Sequence, residues 1–237
     1  MITLRRAGDR QHEQRGQRDS WYTFFGGGLA DPLAGGFDTL ELLDEFNLSP
    51  VARMPRHARR DTESVTYVRE GSLAYDDSLG RSGIIQAGEF QRTTIGRGVR
   101  YNEENASQTD SAHVIRAALH PSRVGLAPGQ ERKRFSVAER RGGVHVVASG
   151  DARGGSLKLQ QDVLVHSGLL EPGQHVAYEL SPGRSVWLQV VQGELTLADI
   201  VLTAGDGVGI RAKHAVSFTA AADTEVLLFD LVAQPVG

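Results

Sequence analysis

Two segments of this sequence can be laid on each other, and their shared pattern constrains the fold more than any other feature. The first is SVTYVREGSLAYDDSLGRSGIIQAGE (64–89), and the second is SVWLQVVQGELTLADIVLTAGD (185–206). Each continues from Ser-Val through an apolar run, a Glu-Gly or Gln-Gly pair and a polar hairpin to an Ala-Gly-acid turn. The glycines suit turn positions that need a positive φ. Two tandem copies of one β-module, with domains at 1–130 and 131–237, explain this repeat most simply.

Short apolar runs elsewhere in the chain have the pattern of β-strands. They are rich in Val, Leu, Thr and Tyr and are separated by Gly, Pro and Asp, as in HVIRAAL (113–119), VHVVAS (144–149) and EVLLFDL (225–231). The segment FDTLELLDEF (37–46) fits either a strand or a helix. Only PGQERKRFSVAERRG (128–142) is typical of a helix or a loop. We therefore predict an all-β protein.

Composition argues against several classes of function. The 237 residues include 26 Lys and Arg and 29 Asp and Glu, so a net charge of −3 gives no electrostatic reason to expect nucleic acid or an anionic membrane as a partner. The absence of cysteine excludes disulfides, thiolate metal sites and cysteine nucleophiles. No apolar stretch approaches the roughly 20 residues that span a bilayer, and we expect a cytoplasmic protein. The glycine-rich segment FFGGGLADPLAGG (24–36) is predicted to be a loop over a barrel mouth.

Two spaced motifs in the first module resemble those of the cupin superfamily. HARRDTE (57–63) and GVRYNEEN (98–105) follow the family patterns H-x-H-x3/4-E and G-x2-H-x3-N, with substitutions. More narrowly, RDSWYTF (18–24), AGEFQ (87–91) and SLKLQQDVLV (156–165) resemble pirin-like bicupins. The resemblance covers essentially the whole chain in order. It implies two jelly-roll β-barrels packed face to face.

The same resemblance implies one divalent metal, usually iron, in the N-terminal barrel, with three histidines and a glutamate as ligands. Carried onto this sequence, the first histidine is His57 and the glutamate is Glu103. The second histidine position holds Arg59, whose protonated guanidinium has no lone pair to offer a metal, and the third holds Tyr101. We therefore expect the metal to be absent or weakly bound. The C-terminal barrel is implied to be metal-free.

Three hypotheses for this pocket remain open. In the first, the metal site is vestigial, because Arg59 would repel a divalent ion by roughly 7–8 kcal/mol at about 4–5 Å and an effective dielectric constant of about 20. In the second, a rebuilt site for a harder metal is formed by His57, Glu63, Tyr101 and Glu103. In the third, Arg59 makes the pocket an anion or carboxylate site, or it closes a salt bridge with Glu103.

Pirin-like proteins include quercetin-degrading dioxygenases and metal-dependent regulatory partners of other proteins. Arg59 together with Tyr101 favours a non-catalytic or weakly active binding or regulatory protein. Its partner would be a protein, or a small molecule or anion in the N-terminal barrel, with no direct contact to nucleic acid or membrane. The alternative is a metal-dependent dioxygenase of the quercetin 2,3-dioxygenase type that uses the rebuilt site, with Glu103 as ligand and possible base.

Overall fold

A computed structural model of the chain describes residues 1–25 and 31–234. The strands of its first half are, in chain order, β1 (Ile2–Arg5), β2 (Gln11–Arg15), β3 (Arg18–Tyr22), β4 (Leu40–Leu48), β5 (His57–Arg59), β6 (Glu63–Glu70), β7 (Ser72–Asp77), β8 (Ser82–Gln86), β9 (Glu89–Thr94), β10 (Val99–Asn105), β11 (Ala112–Leu119) and β12 (Gly129–Arg134). One 3-10 turn spans Ala7–Asp9. Residues 26–30 of the predicted glycine-rich loop lie outside the described residues.

The second half begins with a short helix. Its elements are α1 (Val137–Arg140), β13 (Val144–Ser149), a 3-10 turn (Arg153–Gly155), β14 (Leu157–Lys158), β15 (Val163–Leu170), β16 (His175–Glu179), β17 (Arg184–Gln192), β18 (Glu194–Leu197), β19 (Ile200–Thr203), β20 (Gly207–Ile210), β21 (Ala215–Ala220) and β22 (Thr224–Val232). Within the described residues, no helix is long and apolar enough to cross a membrane.

Across the described residues the strands form four sheets, two in each barrel. The N-terminal barrel has a long sheet, β12-β9-β6-β11-β4-β3-β2, and a short sheet, β5-β10-β7-β8. The C-terminal barrel repeats this plan with β1-β20-β17-β22-β15-β13-β14 and β16-β21-β18-β19. The all-β bicupin fold predicted from the sequence is thereby confirmed.

The repeated segments occupy equivalent strands, β6–β9 in the first barrel and β17–β20 in the second. Gly71 and Gly193 turn the chain at the same place in each copy, with φ of 71° and 84°. A Cβ on Gly71 would come within 2.4 Å of the carbonyl oxygen of Ser111, and one on Gly193 within 2.2 Å of that of Asp223. Glycine is therefore required at both turns by backbone conformation and by space.

Two edge strands show where each barrel begins and ends. β1 pairs with β20, so the first strand of the chain completes the long sheet of the C-terminal barrel. β12 pairs with β9 along its whole length and so belongs to the N-terminal barrel. The division predicted between residues 130 and 131 falls inside β12, because sequence patterning does not show which sheet an edge strand joins.

Two ambiguous segments are resolved by pairing with neighbours. Residues 37–46 contribute most of strand β4, which lies between β3 and β11. In the segment 128–142, expected to be helix or loop, the first half is β12 and only Val137–Arg140 is helical. A capping box between Ser136 and Glu139 begins that helix. The helical part of this prediction was therefore wrong for residues 129–134, where pairing with β9 outweighs local propensity.

The two long sheets pack against each other, and the largest buried side chains lie between them. Trp187 of β17 is fully buried, and its ring meets that of Phe24 edge-on at 4.8 Å. Tyr67 of β6 stacks on Phe90 of β9 at 4.2 Å. Because this apolar layer joins the barrels, side chains of β6 alternate between the layer and the interior of the N-terminal barrel.

A buried ion-pair cluster at one edge of this layer ties the barrels together. Glu225 of β22 accepts hydrogen bonds from Tyr67 Oη at 2.6 Å and from Arg69 Nε at 3.0 Å. Arg140 of α1 donates to the same carboxylate at 3.0 Å. Arg69 belongs to the N-terminal barrel, whereas Arg140 and Glu225 belong to the C-terminal half, so the cluster fixes the relative position of the two barrels.

Candidate functional site

An inner pocket lies inside the N-terminal barrel, between the long and the short sheet. Its cavity has a volume of about 30 Å³, room for two or three water molecules if each needs roughly 10–15 Å³. The polar side chains that line it include His57, Arg59, Ser64, Thr66, Tyr101, Glu103 and Arg116. The pocket therefore brings together the site residues predicted from the two motifs, with the exception of Glu63.

His57 and Tyr101 are directly opposite each other on β5 and β10. Their rings stack with centroids 5.7 Å apart. Burial raises the pKa of Tyr101 to about 12, so its side chain is a neutral phenol at neutral pH. The Tyr101 hydroxyl is buried and has no hydrogen-bond partner among the described residues. Burial also lowers the pKa of His57, an effect that the nearby Glu103 carboxylate opposes.

The carboxylate of Glu103 is held by Arg116 of β11. Arg116 Nη1 donates to Oε2 at 3.0 Å and Nη2 donates to Oε1 at 2.5 Å, so both carboxylate oxygens are engaged. The Nε of Arg116 donates to Thr66 Oγ1 at 3.1 Å, which fixes the guanidinium plane. His57 Nε2 lies 3.8 Å from Glu103 Oε2, at the edge of this arrangement. The pair is bidentate and mostly buried, the geometry in which an arginine–carboxylate interaction is strongest.

Arg116 was not identified as a site residue from the sequence. It is the single charged residue of the run HVIRAAL (113–119), and it shares the inward face of β11 with Ala118. A lone arginine in an apolar strand is the sequence signal that could have identified it. The salt bridge that one of the three hypotheses placed between Arg59 and Glu103 is absent among the described residues, where Arg116 holds both oxygens of that carboxylate.

Arg59 lies where the inner pocket opens into a wider cavity. This outer groove has a volume of about 460 Å³, and its walls include Tyr22, Asp44, Phe46, Met54, Arg18 and Arg56 together with His57, Arg59 and Arg116 of the inner pocket. Arg59 is half-buried and pairs through its backbone with Val99. Among residues 1–25 and 31–234, its guanidinium has no hydrogen-bond or ion-pair partner.

Asp44 of β4 is a half-buried carboxyl group in the wall of the outer groove. Burial raises its pKa to about 6, and the guanidinium groups of Arg59, Arg116 and Arg18 oppose this shift only partly. Its Oδ1 has no hydrogen-bond partner in the described part of the chain. Asp44 thus lies near Arg59 without forming an ion pair with it.

Glu63, expected in the pocket, points to the opposite side of β6. Ser64 and Thr66 face the cavity, and strand alternation sends Glu63 towards the layer between the barrels. Its carboxylate is 1% exposed and accepts hydrogen bonds from Thr94 Oγ1 at 2.8 Å and from the Gln160 backbone NH at 2.9 Å. Contrary to the prediction, the structure does not bring Glu63 together with His57, because Glu63 anchors the segment before β15.

The remaining predicted metal ligands are only partly assembled. His57 and Glu103 are adjacent, as the family resemblance implies. Within the described residues, no three side chains of His, Asp or Glu are grouped in a way that could hold a metal ion. Arg59, Arg116 and the phenol of Tyr101 complete the lining instead.

Comparison with known proteins identifies relatives along the whole chain. A family model described as "Pirin" matches residues 8–117, and one described as "Quercetinase C-terminal cupin domain" matches residues 146–231. A protein named quercetin 2,3-dioxygenase from Escherichia coli (strain K12) is 36% identical over 231 residues, which cover 98% of this chain and 99% of that protein.

Solved structures give the same picture. The crystal structure of YhhW from Escherichia coli superposes with a TM-score of 0.92 at 35% identity and covers all of both chains. Bacterial pirin YhhW in complex with nickel(II), also from Escherichia coli, superposes with a TM-score of 0.91 at 35% identity over 99% of this chain and 100% of that one. With both barrels matched in sequence and in structure, the chain belongs to the pirin family.

Proposed function

We propose that this chain is a binding protein of the pirin family in which an internal ion pair has replaced metal ligation, and that it has little or no flavonol dioxygenase activity. The bidentate contact between Glu103 and Arg116 carries this proposal. It occupies the carboxylate that the family resemblance assigns to the metal. A divalent ion would have to displace a buried guanidinium to reach it.

The other residues of the inner pocket do not fit a divalent metal either. Arg59 stands where a histidine ligand is expected, and its positively charged guanidinium has no lone pair with which to bind a metal. Tyr101 could bind a metal only as a phenolate, and its raised pKa opposes the loss of that proton. His57 is then the one side chain of this lining with a nitrogen atom that can bind a metal. A single imidazole gives a weak site beside two guanidinium groups.

The dioxygenase alternative requires a rebuilt ligand set that includes Glu63. That carboxylate faces the layer between the barrels and is hydrogen-bonded by Thr94 and two backbone NH groups, those of Gln160 and Gln161. Bringing it into the pocket would reverse the alternation of β6.

The test combines metal content with turnover. The purified protein is analysed for iron, manganese, nickel and copper, then incubated with each ion while the absorbance of quercetin is followed under air. We expect metal well below one equivalent and little or no flavonol consumption with any ion. One equivalent of metal together with turnover that His57→Ala abolishes would overturn the proposal.

A further inference from the structure

Arg59 is a charged group without a partner at the junction of two cavities. It lines both the inner pocket and the outer groove, and in the described residues nothing pairs with its guanidinium. The guanidinium keeps its charge at any physiological pH. Because Arg59 is only half-buried, an anionic group of a ligand in the groove can reach this guanidinium and pair with it.

The hydroxyl of Tyr101 is a second unsatisfied group in the same pocket. Tyr101 is 7% exposed, and its Oη is buried without a hydrogen-bond partner in the described residues. A neutral phenol is a good donor to a carboxylate oxygen. Arg59 and Tyr101 therefore offer an anion two kinds of donor that the protein itself leaves unused.

The carboxylates nearby do not meet this need. Glu103 is already ion-paired with Arg116 through both of its oxygens. Asp44 lies in the outer groove with its Oδ1 unpartnered in the described part of the chain, so it does not neutralise Arg59 by direct contact. Among the described residues, the walls of the outer groove carry five arginines, Arg15, Arg18, Arg56, Arg59 and Arg116, against one carboxylate, Asp44, and this excess of positive charge favours an anionic ligand over a cation.

The sizes of the two cavities indicate what kind of anion fits. The inner pocket, with about 30 Å³, has room for a head group of two or three atoms, such as a carboxylate. The outer groove, with about 460 Å³, can take a larger body, and Phe46 and Met54 give it an apolar wall. In the described residues, the inner pocket holds a single guanidinium without a partner, that of Arg59, which matches one carboxylate.

We propose that Arg59 and Tyr101 bind the carboxylate of a small monocarboxylic acid whose apolar body lies in the outer groove against Phe46 and Met54. This inference rests on the proposed function, because it needs an inner pocket that no metal occupies. It adds the class of ligand: an organic acid of about the size of 3-phenylpropionate.

Calorimetric titration of the chelator-treated full-length protein tests the assignment. The probes are 3-phenylpropionate, its neutral isostere 3-phenylpropionamide, and inorganic phosphate. We expect saturable binding of the acid, at least about tenfold weaker binding of the amide, and no competition by phosphate, since tenfold corresponds to about 1.4 kcal/mol for one charge-assisted contact. Equal binding of acid and amide, or displacement of the acid by phosphate, would overturn the inference.

Variants identify the residues responsible. Arg59→Gln should weaken binding of the acid at least about tenfold, whereas Arg100→Gln, an exposed arginine of β10 outside both cavities, should leave it unchanged. Tyr101→Phe should weaken binding while leaving the melting temperature unchanged or higher, because it removes an unsatisfied buried hydroxyl. Equal losses in Arg59→Gln and Arg100→Gln would show non-specific attraction to surface charge and would contradict the site.

Metal content separates failure of this inference from failure of the proposed function. If no acid binds and metal stays well below one equivalent, the ligand class is wrong and the proposed function stands. If the acid binds only after one equivalent of metal has been added, the carboxylate is a metal ligand, and both proposals are overturned.

Discussion

Arg116 donates hydrogen bonds to both carboxylate oxygens of Glu103 inside the N-terminal barrel, to Oε2 at 3.0 Å and to Oε1 at 2.5 Å. The family resemblance assigns this carboxylate to a metal. Removing one partner of such a pair leaves a buried charge alone. We expect Arg116→Met to lower the free energy of unfolding by about 3–5 kcal/mol. The double variant Arg116→Met, Glu103→Gln should recover part of that loss, since it removes both charges.

Urea denaturation of the wild type, the two single variants and the double variant gives the coupling between these residues. A cost below about 1 kcal/mol for Arg116→Met would show that Glu103 does not depend on its guanidinium. It would also weaken the proposal that the ion pair between Arg116 and Glu103 replaces metal ligation.

Glu225 holds the barrels together through Tyr67, Arg69 and Arg140. Because Arg140 is buried, Glu225→Ala should destabilise the protein by about 3–5 kcal/mol and lower the melting temperature accordingly. Glu70→Gln is the matched control: Glu70 also contacts Arg69 but is exposed, and its change should stay within about 0.5 kcal/mol. Equal effects in the two variants would contradict a structural role for the buried cluster.

Asp44 should make stability depend on pH. Its pKa in the folded protein is about 6, above the ordinary value of 3.8, so the folded state binds more protons between these values. Stability from this group is therefore present below pH 4 and lost as pH rises through 6. Asp44→Asn should gain up to about 3 kcal/mol over the wild type above pH 6 and little near pH 4.

Thermal unfolding of Asp44→Asn and wild type at several pH values measures this difference. A variant less stable than wild type at pH 7.5 would mean that Arg59, Arg116 and Arg18 hold the carboxylate in its charged form. Glu41 also acts on Asp44, and its negative charge raises the pKa further.

His166 should give the opposite pH dependence in the C-terminal barrel. It is buried beside Tyr178, with ring centroids 5.0 Å apart, and burial lowers its pKa to about 4 from 6.5. The unfolded state then binds more protons between these values, so stability is present above pH 6.5 and lost as pH falls towards 4. His166→Gln should flatten this acid limb by up to about 3 kcal/mol.

The exposed His175 provides the comparison, because His175→Gln should leave the acid limb unchanged. An unaltered slope in His166→Gln would contradict a buried neutral imidazole at that position.

The fold could be predicted because several sequence signals agree. The repeated segments, their turn glycines Gly71 and Gly193, and the alternating strands all specify two similar barrels. The family resemblance implied that His57 and Glu103 belong to one site, and both lie on strands of one short sheet. Such local patterns predict the structure well because they depend only on backbone conformation and on the period of a strand.

Long-range pairing explains what the sequence did not predict. Glu63 has the spacing of a metal ligand, but the face it takes depends on where β6 packs against the other barrel. Arg116 reaches Glu103 across the barrel from another sheet, and the motifs contain no sign of that contact. Strand β12 joins the N-terminal barrel through an edge pairing that composition does not reveal. A shift of one residue moves a side chain to the other face of a strand, and the spacing of a motif does not show which face the side chain takes.

The replacement of metal ligation by Arg59, Tyr101 and the Arg116–Glu103 pair is the core of the proposed function. Equilibrium dialysis against nickel(II), the ion bound in the solved relative, tests it most directly when wild type is compared with Arg59→His, Tyr101→His. We expect well under one equivalent of nickel on the wild type and a clear gain in the double variant, with melting temperatures confirming that both are folded. One equivalent held tightly by the wild type, and lost in His57→Ala, would contradict it.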